Sequence, residues 1–241
     1  MAGIIEANHS IGLAADVEPE AYEDLISQLE GVEGVDFIKV GFELGLGMTL
    51  ATASDIAHAA GKVSVYDHQK AGTDIDKTSL QFGRTMERGK VDAAILFPFT
   101  GPVVQEKWTR ELQDRGVTVI SGGEMTHEGI RKDEGGYFTD EDFVKMYMNA
   151  VNLGVRDFVV PGNKPERVSV YKFLFDREIG EGKYTLWAPG FVDQGGDVTE
   201  TGLLAGPNFN AIVGTGIYGK ESPRQAAIDL GQKILALNKE V

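Results

Sequence analysis

The hydrophobic residues of this chain fall into short runs that alternate with longer segments in which they recur every three or four positions. The short runs are rich in β-branched and aromatic residues, which is typical of buried strands. We predict strands at residues 11–17, 37–41, 63–66, 93–97, 117–121, 157–162, 184–188 and 211–214. The longer segments have the helical period and predict helices at residues 19–31, 48–61, 75–89, 103–116, 165–175 and 222–237. Thr139, a capping residue with Asp142 three positions later, predicts one more helix that ends at Leu153.

Eight strands that alternate with helices, at intervals of roughly 25 to 35 residues, predict an α/β fold, a single (β/α)8 TIM barrel. We expect one domain over residues 1–241, because no linker, charge block or internal repeat divides the chain. The competing architecture is a doubly wound open sheet, which usually has a Gly-rich phosphate-binding turn after its first strand. Here Ala15, Asp16 and Val17 occupy that position, which favours the barrel.

Composition narrows the possible partners. The chain has 241 residues, of which 42% are hydrophobic, and a formal net charge of −14. Such a surface repels nucleic acid and anionic membranes, so we expect neither as a partner. The absence of cysteine excludes disulfides and thiolate metal sites. Neither a signal-like start nor a long apolar stretch is present, which predicts a cytoplasmic protein.

Polar residues follow several predicted strands, where a barrel places its active site. Val63 to Tyr66 is followed within eight residues by two acids and a lysine. The complete set of polar strand-end residues is Asp16, Lys39, Asp67, Lys70, Asp74, Thr126, His127, Asn163, Gln194 and Thr215. Any one of them could belong to a structural ion pair or a solvated loop. A cluster of three carboxylates and two lysines costs free energy to bury, and that cost favours a functional site.

Glycines after the seventh and eighth strands predict a phosphate site. Gly190, Gly195 and Gly196 follow the seventh strand, and Gly214 and Gly216 follow the eighth. Barrels bind phosphate through backbone N–H groups at these positions. The alternative is that the glycines only form turns.

Several motifs lie at or near the strand ends, and the most specific are E-M-T-H at residues 124–127 and P-G-F-V-D-Q-G-G-D at 189–197. The others are Asp16 after the first strand, F-I-K-V-G at 37–41, the acids and lysine of 67–75 with Thr78, G-N-K-P-E-R at 162–167 and V-G-T-G-I-Y at 213–218. Together, over nearly the whole chain, these motifs resemble the orotidine 5′-monophosphate decarboxylases of the short form.

The resemblance implies a role for each matching residue. Lys70 would protonate carbon 6 of the pyrimidine as carbon dioxide leaves, with Asp67 against the substrate carboxylate. Asp74 would reach into the site of the other subunit of a homodimer, so that the two active sites are shared. Lys39 and Asp16 would complete the row of alternating charges and contact the ribose. The remaining substrate-binding residues would be Ile75, Thr78, Thr126, Pro189, Gly190, Gln194, Gly195, Gly196, Gly214 and Thr215. The implied substrate is a small nucleotide, and neither a cofactor nor a metal is expected.

The sequence departs from the family pattern at two places. The family spacing D-x-K-x-x-D-I is enlarged here to D-x-x-K-x-x-x-D-I. Thr215 stands where the family usually has a phosphate-binding arginine, and Lys220 or Arg224 is a candidate for the missing charge.

Two other functions stay open at this point. One is a sugar-phosphate decarboxylase or synthase of the same superfamily, which would use Mg²⁺ to stabilise an enediolate. The other is a barrel that binds a nucleotide without turnover. His127 is either structural or catalytic. Trp108 and Trp187 are predicted to be packing residues, and stacking of Trp187 on a base stays open as an alternative.

Overall fold

The fold is a closed barrel of eight parallel strands in sequence order. The computed structural model describes residues 4–67, 72–192 and 194–237. The strands are β1 (His9–Ala15), β2 (Val35–Val40), β3 (Val63–Tyr66), β4 (Ala93–Leu96), β5 (Thr118–Ser121), β6 (Asp157–Val159), β7 (Thr185–Ala188) and β8 (Phe209–Val213). The barrel predicted from the hydrophobic pattern is therefore confirmed.

The helices lie outside the barrel, where they connect successive strands or follow the last one. They are α1 (Pro19–Leu29), α2 (Phe42–Gly47), α3 (Leu50–Ala59), α4 (Ser79–Arg88), α5 (Pro102–Asp114), α6 (Asp140–Asn152), α7 (Pro165–Glu178), α8 (Val198–Ala205), α9 (Thr215–Tyr218) and α10 (Pro223–Leu237). The predicted cap of α6 is confirmed, since the Thr139 hydroxyl accepts from the Asp142 N–H and the Asp142 carboxylate accepts from the Thr139 N–H.

The sequence pattern missed three helices and misplaced the start of another. Helices α2 and α9 are too short to show a hydrophobic period. Helix α8 begins directly after the Gly-rich segment and is capped by the Asp197 side chain, so its start was hidden in a predicted loop. The helix predicted from residue 75 begins with a 3-10 turn at Asp76–Thr78 and becomes α-helical only at Ser79.

Apolar side chains fill both the barrel interior and the layer between strands and helices. Phe37 and Trp187 meet edge to face inside the barrel, with ring centroids 4.8 Å apart. A side chain at Gly12 would clash with the Phe37 ring, because an added Cβ would lie 1.9 Å from it. Trp187 is fully buried and Trp108 nearly so, which confirms that both are packing residues.

Closure of the barrel brings the first and last strands together. β1 pairs with β8 from His9 opposite Phe209 to Leu13 opposite Val213. All the carboxyl ends of the strands therefore lie at one end of the barrel, which places residues distant in sequence around one opening. No helix among the described residues combines the length and apolar composition that crossing a membrane requires.

Candidate active site

A cavity of about 460 Å³ opens at the carboxyl ends of the strands. Nine of the predicted site residues line it: Asp16, Lys39, Asp67, Thr126, Pro189, Gly190, Gln194, Gly214 and Thr215. Its apolar lining includes Ile95, Phe97, Val159 and Ile212, which project from the barrel strands or follow them. The cavity thus combines charged and polar groups with an apolar wall, as expected of a pocket for a small organic ligand.

A lysine between two acids forms the charged wall. The Lys39 Nζ lies 3.2 Å from an oxygen of Asp16 and 3.4 Å from an oxygen of Asp67. Strand register explains the arrangement, because Lys39 pairs with Ala14 of β1 on one side and with Val65 of β3 on the other. The two acids follow these neighbouring strands, so their carboxylates flank the ammonium group.

The charges of the acids keep Lys39 protonated inside the protein. Burial acts to lower the pKa of Lys39, but the neighbouring charges of Asp67 and Asp16 outweigh it, and the net pKa is raised. Lys39 and Asp67 are both buried, whereas the Asp16 side chain is half exposed. A fixed positive charge therefore faces the cavity of a protein whose net charge is −14.

Of the other charged residues predicted after β3, Lys70 lies outside the described residues, and Asp74 does not line the cavity of its own chain. Asp74 is exposed, and one of its carboxylate oxygens accepts a hydrogen bond from the Ile75 N–H at 2.6 Å. Ile75 is 59% exposed. The Trp108 indole N–H and the Thr78 hydroxyl both donate to the Ile75 carbonyl oxygen, at 3.1 and 2.7 Å. These hydrogen bonds hold the segment against α5 and leave the charged Asp74 and the apolar Ile75 at the surface.

The cavity wall after β5 and β7 combines a hydroxyl group with backbone atoms. Thr126 follows β5, and the Asn163 side-chain amide donates to its carbonyl oxygen at 3.2 Å. Gly190, after β7, has a φ of +106°, and an added Cβ would lie 3.1 Å from both the Thr126 methyl group and the Asn163 backbone nitrogen. Glycine is therefore required at position 190, and the backbone of β7 can approach Thr126 closely.

Gly195 and Gly196 lie in the same loop but do not line the cavity. The Gly196 N–H donates to the Gly190 carbonyl oxygen at 3.1 Å, and the Gly195 N–H donates to the Val192 carbonyl oxygen at 3.2 Å. Both amides, predicted as phosphate donors, are used inside the loop in this structure.

At the end of β8, Gly214 and Thr215 line the cavity at the start of the short helix α9. The hypothesis that Arg224 replaces the family's arginine is wrong. Its guanidinium donates to the carbonyl oxygens of Gln28 and Glu30, at 2.7 and 3.2 Å, because α10 packs beside α1. Lys220 is exposed one turn after Thr215 and does not line the cavity.

For two residues of the E-M-T-H motif, His127 and Glu124, the structure gives an environment that the sequence did not predict. His127 is exposed and does not line the cavity, so this geometry gives no support to a catalytic role. Glu124, which was given no role, lines the cavity and is fully buried. A charged group that is buried beside a cavity indicates a functional role. The sequence could not predict this role for Glu124, because burial of an acid after a strand depends on the tertiary structure.

The fold and the site together define an enzyme class. β/α barrels carry out catalysis at the carboxyl ends of their strands. The charged cavity lies at that end and presents a buried cation between two acids. The molecule is thus built as a β/α-barrel enzyme.

Relatives of known function specify the family. An orotidine 5′-phosphate decarboxylase of Methanosarcina mazei is 30% identical over 234 residues, which cover 96% of this chain and 98% of the relative. One of Methanosarcina barkeri is 31% identical over 225 residues, with 93% and 94% of the two chains covered. No family model matches the chain. The chain belongs to the orotidine 5′-phosphate decarboxylase family and is an enzyme of the lyase class.

Solved structures agree with the fold. An orotidine 5′-monophosphate decarboxylase of Methanocaldococcus jannaschii, complexed with the inhibitor BMP, superimposes with a TM-score of 0.80 at 22% identity, covering 95% of this chain and 99% of that one. The enzyme of Pyrococcus horikoshii gives a TM-score of 0.75 at 24% identity, with 93% and 99% covered.

Proposed function

We propose that this enzyme converts orotidine 5′-monophosphate into uridine 5′-monophosphate and carbon dioxide, as a step of pyrimidine biosynthesis, without metal or cofactor. The observation that carries the proposal is the row Asp16–Lys39–Asp67 at the barrel mouth, with a buried lysine between the two acids, in a chain of this family. A row of fixed charges suits a reaction that creates a negative charge on carbon and has no cofactor to delocalise it.

In the proposed reaction the bond between carbon 6 and the carboxylate breaks, and its electron pair stays on carbon 6. The Lys70 ammonium then supplies the proton that carbon 6 takes up. Asp67 would lie against the departing carboxylate, and Lys39 would hold Asp67 and Asp16 in place through contacts of 3.4 and 3.2 Å. The raised pKa of Lys39 supports a fixed cation in this position at neutral pH.

Substrate recognition is assigned to the remaining walls of the cavity. Thr126 would bind the edge of the pyrimidine, and Gln194 with Pro189 and Gly190 would cover the base. Gly214 and Thr215 would bind the phosphate through backbone N–H groups and a hydroxyl. A cavity of about 460 Å³ is consistent with a ligand of this size, since small-molecule pockets measure about 300 to 1,000 Å³.

We further propose a homodimer in which Asp74, with Ile75 and Thr78 beside it, completes the site of the partner subunit. Asp74 and Ile75 are exposed and do not line the cavity of their own chain. The hydrogen bonds from Trp108 and Thr78 to the Ile75 carbonyl oxygen give this segment a fixed shape that a partner surface can match.

The ultraviolet absorbance change on addition of orotidine 5′-monophosphate, recorded with a metal chelator present, tests the proposed reaction. Full turnover with chelator is expected. Inactivation that Mg²⁺ reverses would move the assignment to a metal-dependent sugar-phosphate enzyme of the same superfamily. Tight binding of a nucleotide analogue without turnover would identify a binding protein. Lys70→Ala should fold and lose nearly all turnover, and wild-type turnover in that variant would remove Lys70 from the mechanism.

Mixed dimers test the shared site. Lys70→Ala and Asp74→Asn are each expected to be nearly inactive as homodimers. Unfolding and refolding the two together places both changes in one site of a mixed dimer and leaves the other site unchanged. Activity should therefore return. If mass measurement shows mixed dimers and no activity returns, Asp74 acts within its own chain.

A further inference from the structure

Two loops at the barrel mouth are joined by a set of side-chain contacts. The first is the segment Glu124, Met125 and Thr126 after β5, and the second is the stretch from Asn163 to Arg167, where α7 begins. The Asn163 amide donates to the Thr126 carbonyl oxygen at 3.2 Å, and the Lys164 ammonium donates to the Met125 carbonyl oxygen at 3.3 Å. Three consecutive residues of the first loop are thus held from the second, since Glu124 is also bound.

Glu124 is the centre of these contacts. Its carboxylate is fully buried and receives the Arg167 guanidinium at 2.6 Å, the Lys164 ammonium at 3.3 Å and the Tyr171 hydroxyl at 2.6 Å. A buried carboxylate with several donors is fixed in one geometry, and removal of one donor weakens the pairing of the buried charge and loosens that geometry.

An outer pair of residues stabilises the same arrangement. Asp140, the first residue of α6, accepts from Arg167 at 3.1 Å and from Arg131 at 2.6 Å. Arg131 also lies 3.9 Å from the Glu124 carboxylate. The ring of charges joins α6, α7 and the loops after β5 and β6, so the position of Thr126 depends on groups distributed over four parts of the chain.

These contacts do more than join two helices. Glu124, Met125 and Thr126 line the cavity, whereas Asn163, Lys164 and Arg167 do not. A cluster with only a structural role would be complete with the ion pairs to Glu124. Here two side chains also bond directly to the backbone carbonyls of Met125 and Thr126, and these bonds hold the backbone that carries the Thr126 hydroxyl.

We propose that Lys164, acting with Arg167 through Glu124 and Met125, is a positioning residue that sets the enzyme's recognition of the pyrimidine base. The inference rests on the proposed role of Thr126 in binding the base. It adds that the affinity for the base, unlike the affinity for ribose and phosphate, is controlled by residues that never touch the ligand. The proposed phosphate end, at Gly214 and Thr215, follows β8, and none of the contacts described above involves it.

Lys164→Met tests the inference, because it removes the ammonium group and keeps most of the side chain's bulk. Lys172→Met is the matched control. Lys172 lies on the same helix and pairs with Asp176 at 2.6 Å and Glu181 at 3.2 Å, and it does not line the cavity. Each variant is measured for kcat and KM with orotidine 5′-monophosphate, and for its Kd with uridine 5′-monophosphate and with ribose 5-phosphate.

Lys164→Met is expected to bind uridine 5′-monophosphate about 10-fold more weakly and to lose about 10- to 100-fold in kcat/KM, since small misplacements of a binding group are costly. Its Kd for ribose 5-phosphate should stay within about two-fold of wild type, as should every constant of Lys172→Met. Lys164→Arg should recover most of the lost affinity for the base.

The inference would be overturned if Lys164→Met bound both ligands more weakly to the same extent, or if its affinity for neither ligand changed. If Lys164→Met does not fold, Arg167→Lys applies the same test, because it retains a cation beside Glu124 and shifts the geometry of the ion pair. The same loss of affinity for uridine 5′-monophosphate alone is expected. An equal loss of affinity for both ligands would refute the inference. Absence of turnover by the wild-type enzyme would instead refute the proposed function, so the two failures are distinguishable.

Discussion

Replacing Asp157 by asparagine is expected to stabilise the protein at neutral and alkaline pH. Asp157 is the first residue of β6 and therefore lies at the end of the barrel opposite the candidate active site. Its carboxylate accepts one hydrogen bond from the Trp187 indole N–H, at 2.9 Å. Burial raises the pKa of Asp157 from its ordinary value of 3.8 to about 6, and the bond from Trp187 only partly opposes this rise.

The sign of the effect follows from the direction of the pKa change. Because the folded chain holds this proton more tightly than the unfolded chain, the stability of the wild-type protein falls as the pH rises from about 4 to about 6. Above that window the folded state carries a partly buried charge, for which the described part of the chain provides one side-chain hydrogen bond, from Trp187. An asparagine has no charge at any pH and keeps an oxygen that can accept from Trp187.

The size of the effect can be worked out from the same two values. A tenfold change in an equilibrium constant is worth about 1.4 kcal/mol, so the difference between 3.8 and about 6 corresponds to at most about 3 kcal/mol above pH 7. At pH 5 the same linkage gives about 1.6 kcal/mol. The advantage of Asp157→Asn over wild type should therefore grow by about 1.4 kcal/mol between pH 5 and pH 8.

Urea unfolding of both proteins across this pH range measures the difference. Asp55→Asn is the control, because Asp55 forms an exposed pair with Lys90 and its loss should change the free energy of unfolding by less than about 1 kcal/mol. Turnover should be unaffected by Asp157→Asn, since Asp157 does not line the active-site cavity. A variant that is less stable than wild type at pH 8, or whose advantage is independent of pH, would refute the account of Asp157.

Two further outcomes concern the site itself. Lys39→Met leaves Asp67 buried without its cation, so the free energy of unfolding should fall by about 3 kcal/mol in urea titrations. Turnover in the absorbance assay should also be lost. Wild-type turnover in this variant would contradict the role of Lys39. Thr215→Ala should raise KM only slightly, because backbone N–H groups would carry most of the phosphate binding. If Lys220 supplies the charge of the missing arginine, Lys220→Ala should raise KM more than Thr215→Ala does. Negligible changes in both would refute this account of the phosphate site.

Local patterns were enough to predict the barrel and much of its mouth. The alternation of short apolar runs and amphipathic segments depends only on near neighbours, and β3 was predicted with the bounds it has in the structure. The residues after each strand were then candidates for the site, and Asp16, Lys39 and Asp67 do meet there. Short elements such as α2 and α9 were missed because four to six residues are too few to show a period.

Which polar groups meet was decided by tertiary structure alone. The partners of Glu124 lie about 40 or more positions further along the chain, at Lys164, Arg167 and Tyr171, and no sequence pattern connects them. The pKa of Asp157 likewise depends on burial that the closed barrel creates.

The sequence by itself determined the eight strands and the longer helices between them, because backbone preference and hydrophobic period are properties of neighbouring residues. Only the tertiary structure decided that Arg224 binds the end of α1 and not a phosphate. It also decided that Asp74 does not line the cavity of its own chain. The physical reason is that hydrogen bonds, burial and ion pairs act over a few ångströms in space, and closure of the barrel sets which residues come within that distance.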